Sequence, residues 1–113
     1  MVKIYHNNRC MKSRQTLDIL NDKTKDVEII DYQANPPSKD ELKNILKMLD
    51  AEPMDIIRKG ESIFKENFKG KELSDDEWID AMIEFPKLIE RPIVVNGDKA
   101  VIGRPPENVL NIL

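Results

Sequence analysis

One cysteine and one histidine are all that this chain carries of the side chains most used in nucleophilic and metal chemistry. A single cysteine excludes an internal disulfide. One thiol with one imidazole falls short of the ligand set of a zinc site, so no metal is expected. No apolar run approaches the roughly 18 residues of a membrane-spanning helix. No signal-peptide pattern precedes the first strand-like segment, and no internal repeat, low-complexity tract or linker interrupts the chain. Charge of one sign is not in large excess: 18 basic against 21 acidic residues give a net charge of −3. That balance argues against a general affinity for nucleic acid or anionic membrane. These absences together lead us to expect a cytoplasmic protein, and nothing in them demands more than a monomer.

What remains is a globular composition, 40% apolar and 35% charged over 113 residues, which suits one core and one domain. Val2 to His6 alternate like a strand. After Cys10, residues Ser13, Thr16, Leu17 and Leu20 fall on one face of a helix that fades near Asn21-Asp22, with Ile19 beside it. Val27 to Tyr32 is rich in β-branched residues and reads as a second strand. Strand, helix and strand in this length make a right-handed βαβ unit with parallel strands.

Asn35-Pro36-Pro37 stops that strand, and Ser38 with Glu41 is a capping-box pattern. Leu42, Ile45, Leu46 and Leu49 follow as an amphipathic stripe. A short segment from Pro53 to Gly60 and a helical stretch over 61–70 come next. Ser74 with Glu77 repeats the capping pattern, ahead of a stripe of Trp78, Ala81, Met82 and Phe85 that we read as core packing. Pro86 ends that helix. Ile93-Val94-Val95, the Asn96-Gly97 turn and Lys99 to Ile102 form a hairpin. Pro106 opens a terminal helix carrying Val109, Leu110 and Leu113. The expected fold class is α/β: the βαβ unit and the hairpin-plus-helix share one four-stranded mixed sheet, with a helical insertion at about residues 38–86.

The chemistry-bearing stretch is His6-Asn7-Asn8-Arg9-Cys10-Met11-Lys12-Ser13-Arg14. It places the lone thiol where a strand ends and a helix begins. Unpaired N–H groups of a first helical turn and the positive end of the helix dipole both favour a thiolate. Ligands of open α/β sheets bind beyond the carboxyl ends of the parallel strands, which is where Cys10 falls. His6 has two readings that stay open: a hydrogen bond or charge shared with Cys10, or local packing at the strand end. Three arginines stand at element boundaries elsewhere: Arg58, Arg91 and Arg104. A guanidinium fork matches the oxygens of a multivalent oxyanion. Taken singly, each is more often a solvated surface charge.

The stretches Ile4-Tyr5-His6-Asn7 with Cys10, Ser13-Arg14 and Thr16-Leu17 resemble the arsenate reductase (ArsC) family, of the glutathione- and glutaredoxin-dependent type. So do Asn35-Pro36-Pro37-Ser38, Arg58-Lys59, Glu90-Arg91-Pro92-Ile93-Val94-Val95 and Arg104-Pro105 with the Val109-Leu110-Asn111-Ile112-Leu113 ending. The resemblance runs from residue 2 to 113 and implies a thioredoxin-like fold. It implies that Cys10 is the nucleophile and that Arg58, Arg91 and Arg104 bind the oxyanion. His6 matches a histidine that supports the thiolate. Ser13 and Arg14 match residues beside the anion loop, and Pro92 matches the cis-proline next to the active cysteine. The implied reaction is reduction of arsenate or a related oxyanion, with glutathione as co-substrate, glutaredoxin as partner and no bound cofactor. The best-known members carry Gly-Thr directly after the cysteine. Met11-Lys12 stands here, as in a shorter arsenate reductase-like branch, and leaves the substrate's identity open.

Two other classes fit parts of the pattern. Spx-type transcription regulators share the fold and contact RNA polymerase, but typically carry C-x-x-C where this chain has Cys10-Met11-Lys12-Ser13. A monothiol, glutathione-dependent thiol–disulfide oxidoreductase would accept C-x-x-S.

Overall fold

The computed structural model describes residues 1–113. The strand patterns at the two ends of the chain become β1 (Val2–His6), β2 (Val27–Asp31), β3 (Ile93–Asn96) and β4 (Lys99–Ile102). They form one mixed sheet in the order β2-β1-β3-β4. β1 runs parallel to β2, with Ile4 opposite Ile29 and His6 opposite Asp31. β1 runs antiparallel to β3, with Ile4 opposite Val94, and β3 pairs with β4 through a turn at Gly97-Asp98, one residue past the expected Asn96-Gly97, with Asn96 opposite Lys99 as the last strand pair. Gly97 has φ 64°, the left-handed conformation such a tight turn needs.

The chain divides into two compact units, Met1–Asn35 with Arg91–Leu113, and Pro36–Glu90. The first holds the sheet, the helix α1 (Met11–Lys23) and a terminal 3-10 helix, Pro106–Ile112. α1 buries Ser13, Thr16 and Leu20 toward a core of Val2, Ile4, Val94, Val109 and Ile112. Leu17 and Ile19 pack partly against that core. α1 runs to Lys23, slightly further than the Asn21-Asp22 pair suggests, and the second strand stops at Asp31, leaving Tyr32 just beyond it. The terminal helix also differs from expectation. It buries Pro106, Val109 and Ile112, while Leu110 and Leu113 lie exposed. A 3-10 helix stacks residues three apart, so the buried stripe follows that period and bypasses Leu110 and Leu113.

The second unit carries α2 (Lys39–Leu49), α3 (Ser62–Asn67) and α4 (Asp75–Glu84), with short 3-10 turns at Pro53–Ile56 and Pro86–Leu88. Ser38 Oγ caps α2 by accepting the Glu41 N–H at 3.1 Å. Ser74 and Glu77 complete a reciprocal capping box on α4. The helical stretch expected over 61–70 is confined to α3, six residues long. Trp78 stacks on Phe64 at 6.1 Å between ring centroids and touches Phe68, as a core residue should. No helix of the protein is long and apolar enough to cross a membrane.

Within the first unit, Gly103, just past β4, lies close against Thr16 of α1. A Cβ there would lie 2.5 Å from Thr16 Oγ1 and 2.9 Å from Pro92 Cγ. Gly103 N–H donates to the Pro92 carbonyl at 2.9 Å, and its own carbonyl accepts from Thr16 Oγ1 at 3.3 Å. Gly103→Ala should therefore destabilise the fold by about 1–3 kcal/mol, the usual cost of overpacking. Chemical denaturation will show this as a lower midpoint at unchanged slope; an unchanged midpoint contradicts it.

Candidate active site

Cys10 is the N-cap of α1, with φ −96° and ψ 122°. Its N–H donates to the Asn7 carbonyl at 3.0 Å, and its carbonyl accepts from Arg14 N–H at 3.0 Å. These two bonds fix the thiol at the carboxyl edge of β1, at the start of α1. The sulfur makes no regular capping hydrogen bond, yet the Ser13 N–H dipole of the first turn still favours its charged form.

Two arginines meet at the sulfur. Arg91 immediately precedes Pro92 and β3, and Arg104 follows β4, so the hairpin delivers both from its open end. Arg104 Nη2 donates to Cys10 Sγ at 3.5 Å, and its Nε donates to the Arg91 carbonyl at 2.7 Å. The Arg91 guanidinium hydrogen-bonds the sulfur as well. The Arg91–Pro92 and Arg104–Pro105 peptide bonds are both cis, and Pro92 is fully buried.

Partial burial pushes the Cys10 thiol up. The Ser13 N–H, the Arg91 hydrogen bond and the charges of Arg91 and Arg104 together outweigh that, and the thiol lies below its ordinary value. Burial likewise works against the Arg91 cation, but Tyr32 and Cys10 more than restore it. A half-buried charge is screened less than an exposed one. Arg91 is half-buried and Arg104 exposed, so Arg91 should contribute more to the thiolate.

The other candidates fall at different removes from the sulfur. Ser13 is fully buried; its Oγ accepts from Asn7 N–H at 3.0 Å and shares a 2.6 Å hydrogen bond with His6 Nδ1. His6, buried at the end of β1, thus reaches Ser13 and not the thiol; its link to Cys10 runs through the residue whose N–H faces the sulfur. Arg14 closes the first helical turn with its backbone, and its side chain is exposed. Arg58 belongs to the Pro36–Glu90 unit, where its Nη1 pairs with Glu90 Oε1 at 3.0 Å and its Nε lies 3.7 Å from Glu61. Backbone bonds from Arg58 N–H to the Leu88 carbonyl and from Glu90 N–H to the Ile56 carbonyl, both 2.7 Å, hold that pair in register.

Sequence reasoning missed Tyr32, whose ring is 1% exposed and whose neighbour is Arg91. The available signal was its place, just past β2 and beside the carboxyl end of β1. An open polar groove of about 450 Å³, lined by Asn7, Asn8, Arg9, Asp31, Gln33 and Ala34, borders the loop that leads into Cys10. No group of three or more His, Cys, Asp or Glu side chains is placed to hold a metal ion.

Comparison with known proteins adds the following. The ArsC family model matches residues 5–112. An uncharacterised protein of Escherichia coli K12 is 45% identical over 114 residues, spanning 99% of this chain and 96% of that one. A Haemophilus influenzae protein named arsenate reductase is also 45% identical, spanning 99% of this chain and 98% of its own length. The solved structure of an arsenate reductase from Vibrio cholerae superposes with a TM-score of 0.93 at 46% identity, covering 99% of this chain and 97% of that one.

The site's electrostatics give an ordered expectation. Thiolate fraction sets alkylation rate, so the pH midpoint of Cys10 reaction with iodoacetamide should lie below that of a free thiol. Arg91→Gln should raise the midpoint more than Arg104→Gln does, and equal or reversed shifts would contradict the ordering.

Proposed function

Because this chain belongs to the ArsC family, we propose that it is an arsenate reductase-like oxidoreductase in which Cys10 carries the arsenic. Its mixed sheet and helices make the thioredoxin-like fold. The observation that carries the reading is one thiol, held below its ordinary value, touched by two guanidinium groups. A thiolate alone would serve many reactions. Two arginines around it suit a doubly charged oxyanion as the electrophile.

In this account the Cys10 thiolate attacks arsenic, an S–As bond forms, and one oxygen leaves as water after taking up two protons. Arg91 and Arg104 hold the remaining oxygens and neutralise their charge, which is electrostatic preorganisation. The resemblance adds Arg58 as a third oxyanion ligand; within its own unit that side chain donates to Glu90. No second cysteine exists to resolve the adduct. An external thiol, glutathione, attacks the Cys10 sulfur; the S–As electron pair passes to arsenic and arsenite departs. The resulting mixed disulfide is cleared by a second thiol, supplied by a glutaredoxin. The balance is one arsenate and two thiols to one arsenite, one disulfide and water. The groove beside Asn7, Asn8 and Arg9 is the route we assign to the external thiol. The reading needs no bound cofactor, places the protein in a reducing compartment such as the cytoplasm, and needs only a monomer.

Arsenate-dependent oxidation of NADPH, coupled through glutathione, glutaredoxin and glutathione reductase, tests the proposal. The wild-type chain should turn over and Cys10→Ser should not. Turnover of a glutathione mixed disulfide with none on arsenate would select plain thiol–disulfide exchange instead. Arg91→Lys keeps the charge but loses the fork, and should raise KM for arsenate about tenfold, the worth of a charge-assisted hydrogen bond. Unchanged kinetics would remove Arg91 from the oxyanion site.

A further inference from the structure

Arg104 is the more exposed of the two arginines at Cys10, and the backbone that carries it is braced by a side chain four residues later. The chain leaves β4 in a tight bend over Ile102, Gly103 and Arg104, with Arg104 N–H donating to the Ile102 carbonyl at 2.9 Å. Glycine at the centre of that bend gives the backbone more freedom than any other residue would. The Asn108 side chain spans it. Its Nδ2 donates to the Ile102 carbonyl at 3.2 Å and to the Arg104 carbonyl at 3.1 Å. Two carbonyl partners call for two N–H donors, which only the NH2 end of the amide offers. Asn108 is half-buried in the terminal 3-10 helix, where its own backbone N–H already reaches the Pro105 carbonyl at 3.0 Å. The amide is thus not needed to close the helix turn, and both its bonds serve the bend.

We propose that Asn108 is a positioning residue for the anion site: by tying the Ile102 and Arg104 carbonyls together, it fixes the backbone from which the Arg104 side chain reaches Cys10. From that root, Arg104 Nε meets the Arg91 carbonyl at 2.7 Å and Nη2 meets Cys10 Sγ at 3.5 Å. Arginine has large rotamer freedom, so an exposed guanidinium keeps one place only where root and stem are both held. Asn108 holds the root and the Arg91 carbonyl holds the stem. The proposal rests on the Arg104–Cys10 contact; only its kinetic arm rests on arsenate as substrate.

Asn108→Ala removes both donors without adding charge. The pH midpoint of Cys10 alkylation by iodoacetamide should rise, by less than in Arg104→Gln, because the guanidinium is loosened and not removed. KM for arsenate should rise about threefold to tenfold, the range of one hydrogen bond, with kcat changed less. Folding stability should fall equally in the wild-type and Arg104→Gln backgrounds, whereas the midpoint shift should vanish in the second, because Asn108 acts on the thiol through Arg104. A residue that merely braced the fold would not give that split. Asn108→Leu, of similar size and equally without donors, should move the midpoint in the same direction. An unmoved midpoint in either variant, or the same shift in the Arg104→Gln background, would overturn the proposal. Loss of folded protein in both variants would do so too, by making the amide structural. The alkylation readout uses no arsenate, so a wrong substrate leaves this test intact.

Discussion

The contact between the Cys10 sulfur and two guanidinium groups is the constraint on which the rest of the first unit depends. Cys10 and Arg104 are 94 residues apart in the chain. They meet because β1 sits at the centre of the sheet, paired to β2 on one side and β3 on the other. The βαβ arm supplies the thiol at a strand-to-helix junction. The antiparallel hairpin returns to the same edge and brings Arg91 at its entry and Arg104 at its exit. Gly103 lets the exit strand lie against Thr16 and Pro92, so the packing that closes the core also sets the position of Arg104.

The electrostatics of the site follow from that packing. Burial alone would make Cys10 an inert thiol, and three features reverse the sign: a helix N-terminus, a half-buried guanidinium and an exposed one. They leave positive charge in excess of one thiolate, so a second anion is drawn to the same place. In the proposed function a nucleophile and an oxyanion site are then the same object. The single cysteine sets the remaining requirement. No second thiol of this chain can resolve a bond that Cys10 forms, and the groove beside Asn7 and Arg9 is open to solvent.

Much of this was legible from residues alone. The strand ending at His6, the helix beginning after Cys10, the caps at Ser38 and Ser74, and the hairpin signalled by Asn96-Gly97 are local signals, and each appears in the structure, the hairpin turning at Gly97-Asp98. The juxtaposition of Arg91 and Arg104 was not legible from periodicity, because it is a property of sheet order; only the family resemblance anticipated it. The terminal helix misled because the sequence pattern was read at an α-helical period while the backbone takes a 3-10 one, which exposes Leu110 and Leu113. Tyr32 escaped notice because β-branched neighbours made it look like one more strand residue. The Arg58–Glu90 pair was hidden by 32 residues of separation, bridged only by the Ile57–Ile89 pairing.

The central claim is that one group, the Cys10 thiolate in its arginine surround, both attacks and binds an oxyanion. The most direct test is the rate of Cys10 modification by iodoacetamide at fixed pH across a range of arsenate concentrations. The account predicts saturable protection by arsenate that is lost in Arg91→Ala. A modification rate independent of arsenate at every concentration would contradict it.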